Sequence, residues 1–344
     1  MEMLQNIIVF FAESLIVVLS IVAVLITIAV LVAKAKSEKT EFKIENLNEK
    51  IDLHTEALKT SLMTDNQLKE FKKKHKDFLK EREKNIEEGL IYKSNIFILD
   101  FLKGDIKASA TEHLRDEITT VLGVATSSDE ILVRVESPGG LVHGYGLAAA
   151  QLLRIREAGI PLTISVDQVA ASGGYLMACT ANKIIASPFA LIGSIGVVAQ
   201  VPNFNKLLKK YDVDYKEYTA GDYKRTVSLF GEITEKGEEK FKEQLEATHV
   251  LFKEFVGKYR SQLDLAKVAT GEYWYGKTAR ELGLIDEIKT SDEYILEKSK
   301  THRVVKISFE HKPTISDKLS EVLTKSLTEI FAKILERNSS AKNV

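Results

Sequence analysis

The chain has 344 residues, enough for one catalytic-size domain with appendages or for two small domains. Its apolar share of 44% allows a sizeable core, and 48 basic against 49 acidic side chains lack the basic excess expected of a nucleic-acid-binding protein. A single cysteine, Cys179, excludes an intrachain disulfide, and within its apolar run it reads as a small buried side chain.

In chain order, the first element is an uncharged run from Ser14 to Ala33, SLIVVLSIVAVLITIAVLVA. As a helix it would span roughly 30 Å, the thickness of a bilayer's hydrocarbon core. A cleaved signal peptide fits poorly, because Met1–Asn6 carries no Lys or Arg and the run is too long. Residues 1–36 are therefore expected to be an uncleaved single-pass anchor. Lys34, Lys36 and Lys39 follow the run and Glu2 precedes it, so the positive-inside rule places the remainder in the cytoplasm.

Residues 37–92 alternate in charge and contain no Gly between Lys34 and Glu88. Ile44, Leu47, Ile51 and Leu58 sit near heptad spacing, and Leu68, Phe71 and Phe78 continue a stripe, which predicts a charged helical stalk able to self-associate. The run KEFKKKHKDFLKEREK reads as a solvated helix face.

From residue 93 to 300 the pattern is α/β. Short apolar runs at Ile96–Phe101, Ile131–Val135, Leu162–Val166 and Ile184–Ala186 alternate with helical patterns at Thr111–Leu122, Val142–Glu157 and after Ala170. Such alternation predicts parallel βαβ units. Thr234–Arg260 predicts a long charged amphipathic helix. Residues 301–344 predict a strand and an amphipathic helix, with Leu319, Leu323, Leu327, Ile330, Phe331 and Ile334 on one face.

Two stretches carry chemistry. In DQVAASGGY (167–175) a strand gives way to a helix near Ser172, where the helix dipole and free N–H groups favour negative charge. Nucleophile and plain helix cap are both open readings of this serine. In ESPGGL (136–141) Pro138 fixes the backbone, and Gly139 and Gly140 can turn their amides toward an oxyanion. A serine nucleophile needs a base. No His lies between His143 and His249, which leaves His143 as the nearby imidazole. Lys224, in GDYKR (221–225), is an alternative if an environment keeps it neutral, although alone it reads as a surface lysine.

Together these stretches resemble the serine–lysine peptidases of the signal-peptide-peptidase A type, and within them the SohB branch. The resemblance runs from about Phe97 to Glu287 through VESPGGLVHG (135–144), DQVAASGGYLMA (167–178), ALIGSIGVV (190–198), GDYKR and GEYWYGKTARELGLID (271–286). The anchor and stalk are similar to that branch as well. The resemblance implies a ClpP/crotonase-like α/β fold, with Ser172 as nucleophile and Lys224, 52 positions later, as general base. It implies that Ser194 orients the lysine, that Gly139 and Gly140 line the oxyanion hole, and that the block around Trp274 is structural. It implies homo-oligomers in which the base is sometimes supplied by a neighbouring subunit, and extended peptide or protein substrates such as signal-peptide or membrane-protein fragments. No metal or cofactor is expected, since there is no HExxH and no Cys/His cluster. The resemblance places the catalytic domain on the periplasmic face of a bacterial inner membrane, opposite to the side given by the flanking lysines. Asn182-Lys183 departs from relatives that carry Asp before the basic residue, and Lys183 is a weaker candidate base. Two other readings share the fold: a crotonase-type acyl-CoA enzyme, which leaves Ser172 and Lys224 without roles, and an inactive membrane scaffold.

Overall fold

The computed structural model describes residues 40–87 and 92–311. The chain divides into two compact units, residues 1–43 with 309–344, and residues 44–308. The expected anchor and the expected C-terminal helix lie outside the described residues. Among the described residues no helix is long and apolar enough to cross a membrane.

The charged front segment is not one continuous helix. It opens with strand β1 (Thr40–Asn46), followed by helices α1 (Leu47–Ser61) and α2 (Asp65–Glu87). Asn46 ends the strand and caps α1, its side-chain oxygen accepting from Asn48 N at 3.1 Å and Glu49 N at 3.4 Å. A contact of 3.1 Å between His75 Nε2 and a Glu56 carboxylate oxygen ties α2 back to α1. Asn48 is buried, and its amide donates to the carbonyls of Ser299 (2.8 Å) and His302 (3.0 Å). Its oxygen accepts from Val304 N at 2.7 Å. All its principal hydrogen-bonding capacity is thereby met by the α/β body, where an unmet buried amide would cost about 1–3 kcal/mol.

The body is built on strands whose two faces are both covered, which explains their near-continuous apolar sequence. In β2 (Asn95–Phe101), Phe97, Leu99 and Phe101 enter the larger core while Ile96 and Ile98 enter the smaller one. The same alternation, period two of a pleated strand, puts Ile131, Val133 and Val135 of β3 (Glu130–Val135) on one side and Leu132 on the other. Helix α3 (Thr111–Leu122) follows β2, and α4 (Val142–Glu157) follows β3. The latter buries Tyr145, Ala148, Ala149, Leu152 and Ile155, one stripe at helical spacing. Then come β4 (Leu162–Val166), β5 (Val169–Ala171), the one-and-a-half-turn α5 (Gly173–Ala178), β6 (Lys183–Ala186) and β7 (Leu191–Gly193).

Beyond β7 the chain leaves the core. No residue between Gly196 and Phe255 is buried. This stretch holds α6 (Asn205–Lys210) and most of α7 (Glu235–Tyr259), whose N-cap Thr234 accepts from Gly237 N at 3.1 Å. The chain returns through α8 (Leu265–Val268), β8 (Tyr273–Tyr275), α9 (Gly276–Glu281), β9 (Glu287–Ile288), α10 (Ser291–Lys298) and β10 (Arg303–His311). The large sheet has the order β1-β10-β2-β3-β4-β6-β9, with the pairs from β10 to β9 parallel, as the βαβ pattern predicts. A small sheet, β5-β7-β8, pairs β5 with β7 in parallel and β7 with β8 antiparallel. Tyr294 and Ile295 of α10 help cover the second face of the large sheet. The predicted structural block is one: an ideal Cβ on Gly276 would lie 2.1 Å from the Ser187 carbonyl, so the chain needs glycine there.

Candidate active site

The site forms where the loop after β3 runs beside β5. Ser137 N donates to Val169 O at 2.8 Å and Ala171 N returns a bond to Ser137 O at 3.0 Å, so the Pro-Gly-Gly turn is held against the segment leading to Ser172. Gly139 has φ +91, a conformation that excludes ordinary side chains, and a Cβ there would sit 2.6 Å from Gly173 N. A Cβ on Gly140 would meet Ile106 O at 2.2 Å. Both glycines are therefore required by close backbone approach.

A short hydrogen-bond relay fixes the turn from below. Tyr145 Oη donates to Asp105 O at 2.8 Å, which leaves its oxygen to accept from Ser137 Oγ at 2.5 Å. Ser137 Oγ in turn accepts from Gly139 N at 3.1 Å. Ser137 and Tyr145 are fully buried, and burial pushes the tyrosine hydroxyl above its ordinary range so that it stays a neutral donor. The relay engages the Gly139 amide. Among the described residues the amides of Gly140 and Gly173 donate to no protein acceptor, the latter as one of the unpaired N–H groups of a helix start.

Ser172 closes the strand–helix junction with φ 52 and ψ −117. A non-glycine residue in this region stores about 1–3 kcal/mol of strain and persists only where its surroundings impose it. Here its N–H donates to Gly193 O at 2.8 Å and its carbonyl accepts from Leu176 N at 2.9 Å. A sharp strand-to-helix turn of this kind lifts a serine hydroxyl clear of its own backbone. Ser194 is strained likewise, at φ 50, and is pinned by its N–H to Glu272 O at 2.6 Å.

Ser172, Gly139, Gly140 and Ser194 all line one cleft of about 980 Å³. Its other wall is α7, through Leu251, Phe252 and Phe255. His143 also lines it, as an exposed side chain. Lys224 does not. It ends a turn closed by its own N–H to Gly221 O at 3.2 Å and is exposed, on the stretch that buries nothing. Lys183 lies outside the cleft as well, paired to Glu287 at 2.6 Å. Sequence reasoning did not find the Gly173 amide, the Ser137–Tyr145 relay or His249, which lines the α7 wall. Gly173 carried a signal, being the glycine directly after the serine; the relay and His249 carried none.

A strained serine beside unpaired amides in an apolar cleft is the equipment of covalent acyl transfer, and the comparisons with known proteins agree. The pattern of peptidase family S49 matches residues 154–305, and that of the peptidase family S49 N-terminal region matches residues 2–152. The chain belongs to peptidase family S49 and is a serine-type protease. It is 44% identical over 342 residues to the "Probable protease SohB" of Haemophilus influenzae, covering 96% of each chain. It is 49% identical over 242 residues to the protein of the same description from Buchnera aphidicola subsp. Acyrthosiphon pisum, covering 70% of this chain and 72% of that one. It is also 30% identical to "Protease 4" of Haemophilus influenzae over 185 residues, 52% of this chain and 30% of that one.

Proposed function

We propose that the protein is a membrane-anchored endopeptidase in which Ser172 attacks an extended peptide and Lys224 of a neighbouring copy acts as the base. The observation that carries this reading is the strained Ser172, set among amides in the cleft of a family S49 protease, with no lysine among the described residues lining that cleft. The unprotonated amine takes the Ser172 proton as the hydroxyl adds to the scissile carbonyl. The oxyanion rests against the Gly140 and Gly173 amides, and Gly139 permits the approach that brings these together. The ammonium then protonates the leaving amine, and water hydrolyses the acyl-enzyme. Ser194 orients the incoming amine.

The exposed stretch supports an oligomer. Phe204, Leu207, Tyr211, Tyr215 and Phe230 are each more than a third exposed, and a run of exposed apolar side chains of this density marks a protein-binding surface. It keeps its own shape through Phe204 N to Leu229 O (2.7 Å) and the Tyr215–Phe230 ring contact (5.7 Å). The fold is then of ClpP/crotonase type, residues 1–36 are the inner-membrane anchor, and residues 93–300 are the catalytic domain.

Co-expression tests the arrangement. Ser172→Ala abolishes both peptide hydrolysis and labelling by a fluorophosphonate, and Lys224→Ala abolishes hydrolysis. Mixed assemblies of the two variants regain activity, because an intact serine meets an intact lysine across the interface. Mixed assemblies that stay inactive overturn the shared site. His143 lines the cleft, so loss of activity in His143→Ala together with near-normal activity in Lys224→Ala would transfer the role of base to the imidazole.

A further inference from the structure

Among the described residues six glycines line the cleft, and five of them have a structural reason to be glycine. Gly139 (φ +91) and Gly271 (φ +88) adopt backbone angles that exclude ordinary side chains. A Cβ on Gly140 would lie 2.2 Å from Ile106 O, one on Gly173 2.4 Å from Tyr145 Cγ, and one on Gly196 2.9 Å from Gly271 Cα. Gly146 is the exception. It sits inside α4 without a positive φ, and a Cβ built on it would meet no atom within 4 Å. Gly144 of the same helix gives the contrast, since a Cβ there would lie 2.6 Å from Lys107 O.

Glycine inside a helix is destabilising relative to alanine, because it loses more backbone freedom on folding. At position 146 neither strain nor crowding offsets that loss. What remains is the space itself. On α4 the direction of a side chain at 146 falls between those of Val142, one turn earlier, and His143, both of which line the cleft. The open space in front of Gly146 is therefore the cleft's own. The apolar side chains that bound this cleft are Val142, Leu176, Leu251, Phe252 and Phe255. The reacting serine is close by, because Tyr145, the residue before Gly146, lies against Gly173, the residue after Ser172.

We infer that Gly146 is a specificity-determining residue: by carrying no side chain it leaves room beside Ser172 for a bulky apolar side chain of the peptide, that of the residue whose carbonyl is attacked. This deepens the endopeptidase reading and rests on it. That side chain is carried by the carbon next to the attacked carbonyl, so a pocket beside the serine receives it before any other. An apolar pocket selects by filled volume, since each buried methylene adds affinity and a side chain larger than the space is shut out. Helix α4 thus gives up some of its own stability for substrate volume.

The test uses the full chain in detergent and two fluorogenic peptides that differ only in having Leu or Ala before the scissile bond. Wild type prefers the Leu peptide in kcat/KM. Gly146→Ala lowers that preference about fourfold, the worth of one methyl group's burial, and Gly146→Leu lowers it about tenfold or more. The melting temperature of Gly146→Ala rises by about 2–4 °C, as when an unconstrained helix glycine becomes alanine. A preference that stays the same in both variants, including an equal loss on both peptides, overturns the inference. A lower melting temperature in Gly146→Ala overturns it too, by giving the glycine a role in the fold. Both results leave the protease reading intact. A wild type that cleaves neither peptide and takes up no fluorophosphonate overturns the reading beneath as well.

Discussion

Three segments meet at the hydroxyl of Tyr145: its own helix α4, the Asp105 carbonyl, and Ser137 below the glycine turn. Tyr145→Phe keeps the ring and removes this junction, stranding one buried acceptor and one buried hydroxyl. The expected loss of stability is about 1–3 kcal/mol, read from urea unfolding. Peptide turnover should fall with it, mainly in kcat, because the turn that presents the Gly140 amide loosens while the cleft wall is untouched. The sequence made the nearby glycines legible because only glycine tolerates the crowding that Ser172, Gly173 and Ile106 impose. The strain at Ser172 and Ser194 was not legible in the same way. Serine carries no compositional mark of a positive φ, and the bonds that impose it come from Gly193 and Glu272, which are brought there only by the small sheet.

Helix α7 owes its position as cleft wall largely to its C-terminal end. Arg260, 4% exposed on its side chain, donates from Nη1 and Nη2 to the two carboxylate oxygens of Asp286 at 2.9 Å each, and from Nη2 also to Gly283 O at 2.9 Å. Asp286 also accepts from Ile184 N at 2.7 Å, which joins the wall to β6. Burial alone would lower the guanidinium's proton affinity, but the hydrogen bond to Asp286 and the surrounding charge interactions of Tyr175, Asp286 and Cys179 together outweigh it and hold the group above its ordinary value. Asp286→Asn leaves that charge buried without its counter-ion. Breaking such a pair from one side typically costs about 3–5 kcal/mol, checked by thermal and urea unfolding, and the accompanying KM should rise as the wall shifts. Elements of this size were well written in the sequence: α3 and α4 fall where the apolar spacing puts them, and α7 lies between the residues Thr234 and Arg260 that bound its pattern. The front segment was not, because Thr40–Asn46 is too polar to separate from a charged helix by periodicity. Its strand character comes from a place in the sheet order beside β10.

Across the whole molecule, charge pairs sew the far edge of the sheet. Glu287 on β9 is hydrogen-bonded first by Lys183 and then by Lys289, which hold its carboxyl down to about 2 from an ordinary value near 4.5. A depressed carboxylate stabilises the fold fully above the unfolded value and loses that contribution as pH falls from 4.5 toward 2. Melting temperature should therefore decline through this window, and Glu287→Gln should flatten the decline while lowering stability at neutral pH. The scale of the whole molecule is also where sequence reading reached least far. GDYKR could be singled out by resemblance, but a site completed by a neighbouring copy, as proposed, leaves no mark in the sequence of one chain. The anchorage of Asn48 has a mechanical consequence. With Ser299, His302 and Val304 gripping it, the base of the front hairpin cannot swivel like a leash on the body behind it. A tug on α1 is borne by the Ser299 and His302 carbonyls and the Val304 amide at the head of β10, and the pose of α1 on the α/β body is set at folding rather than by diffusion.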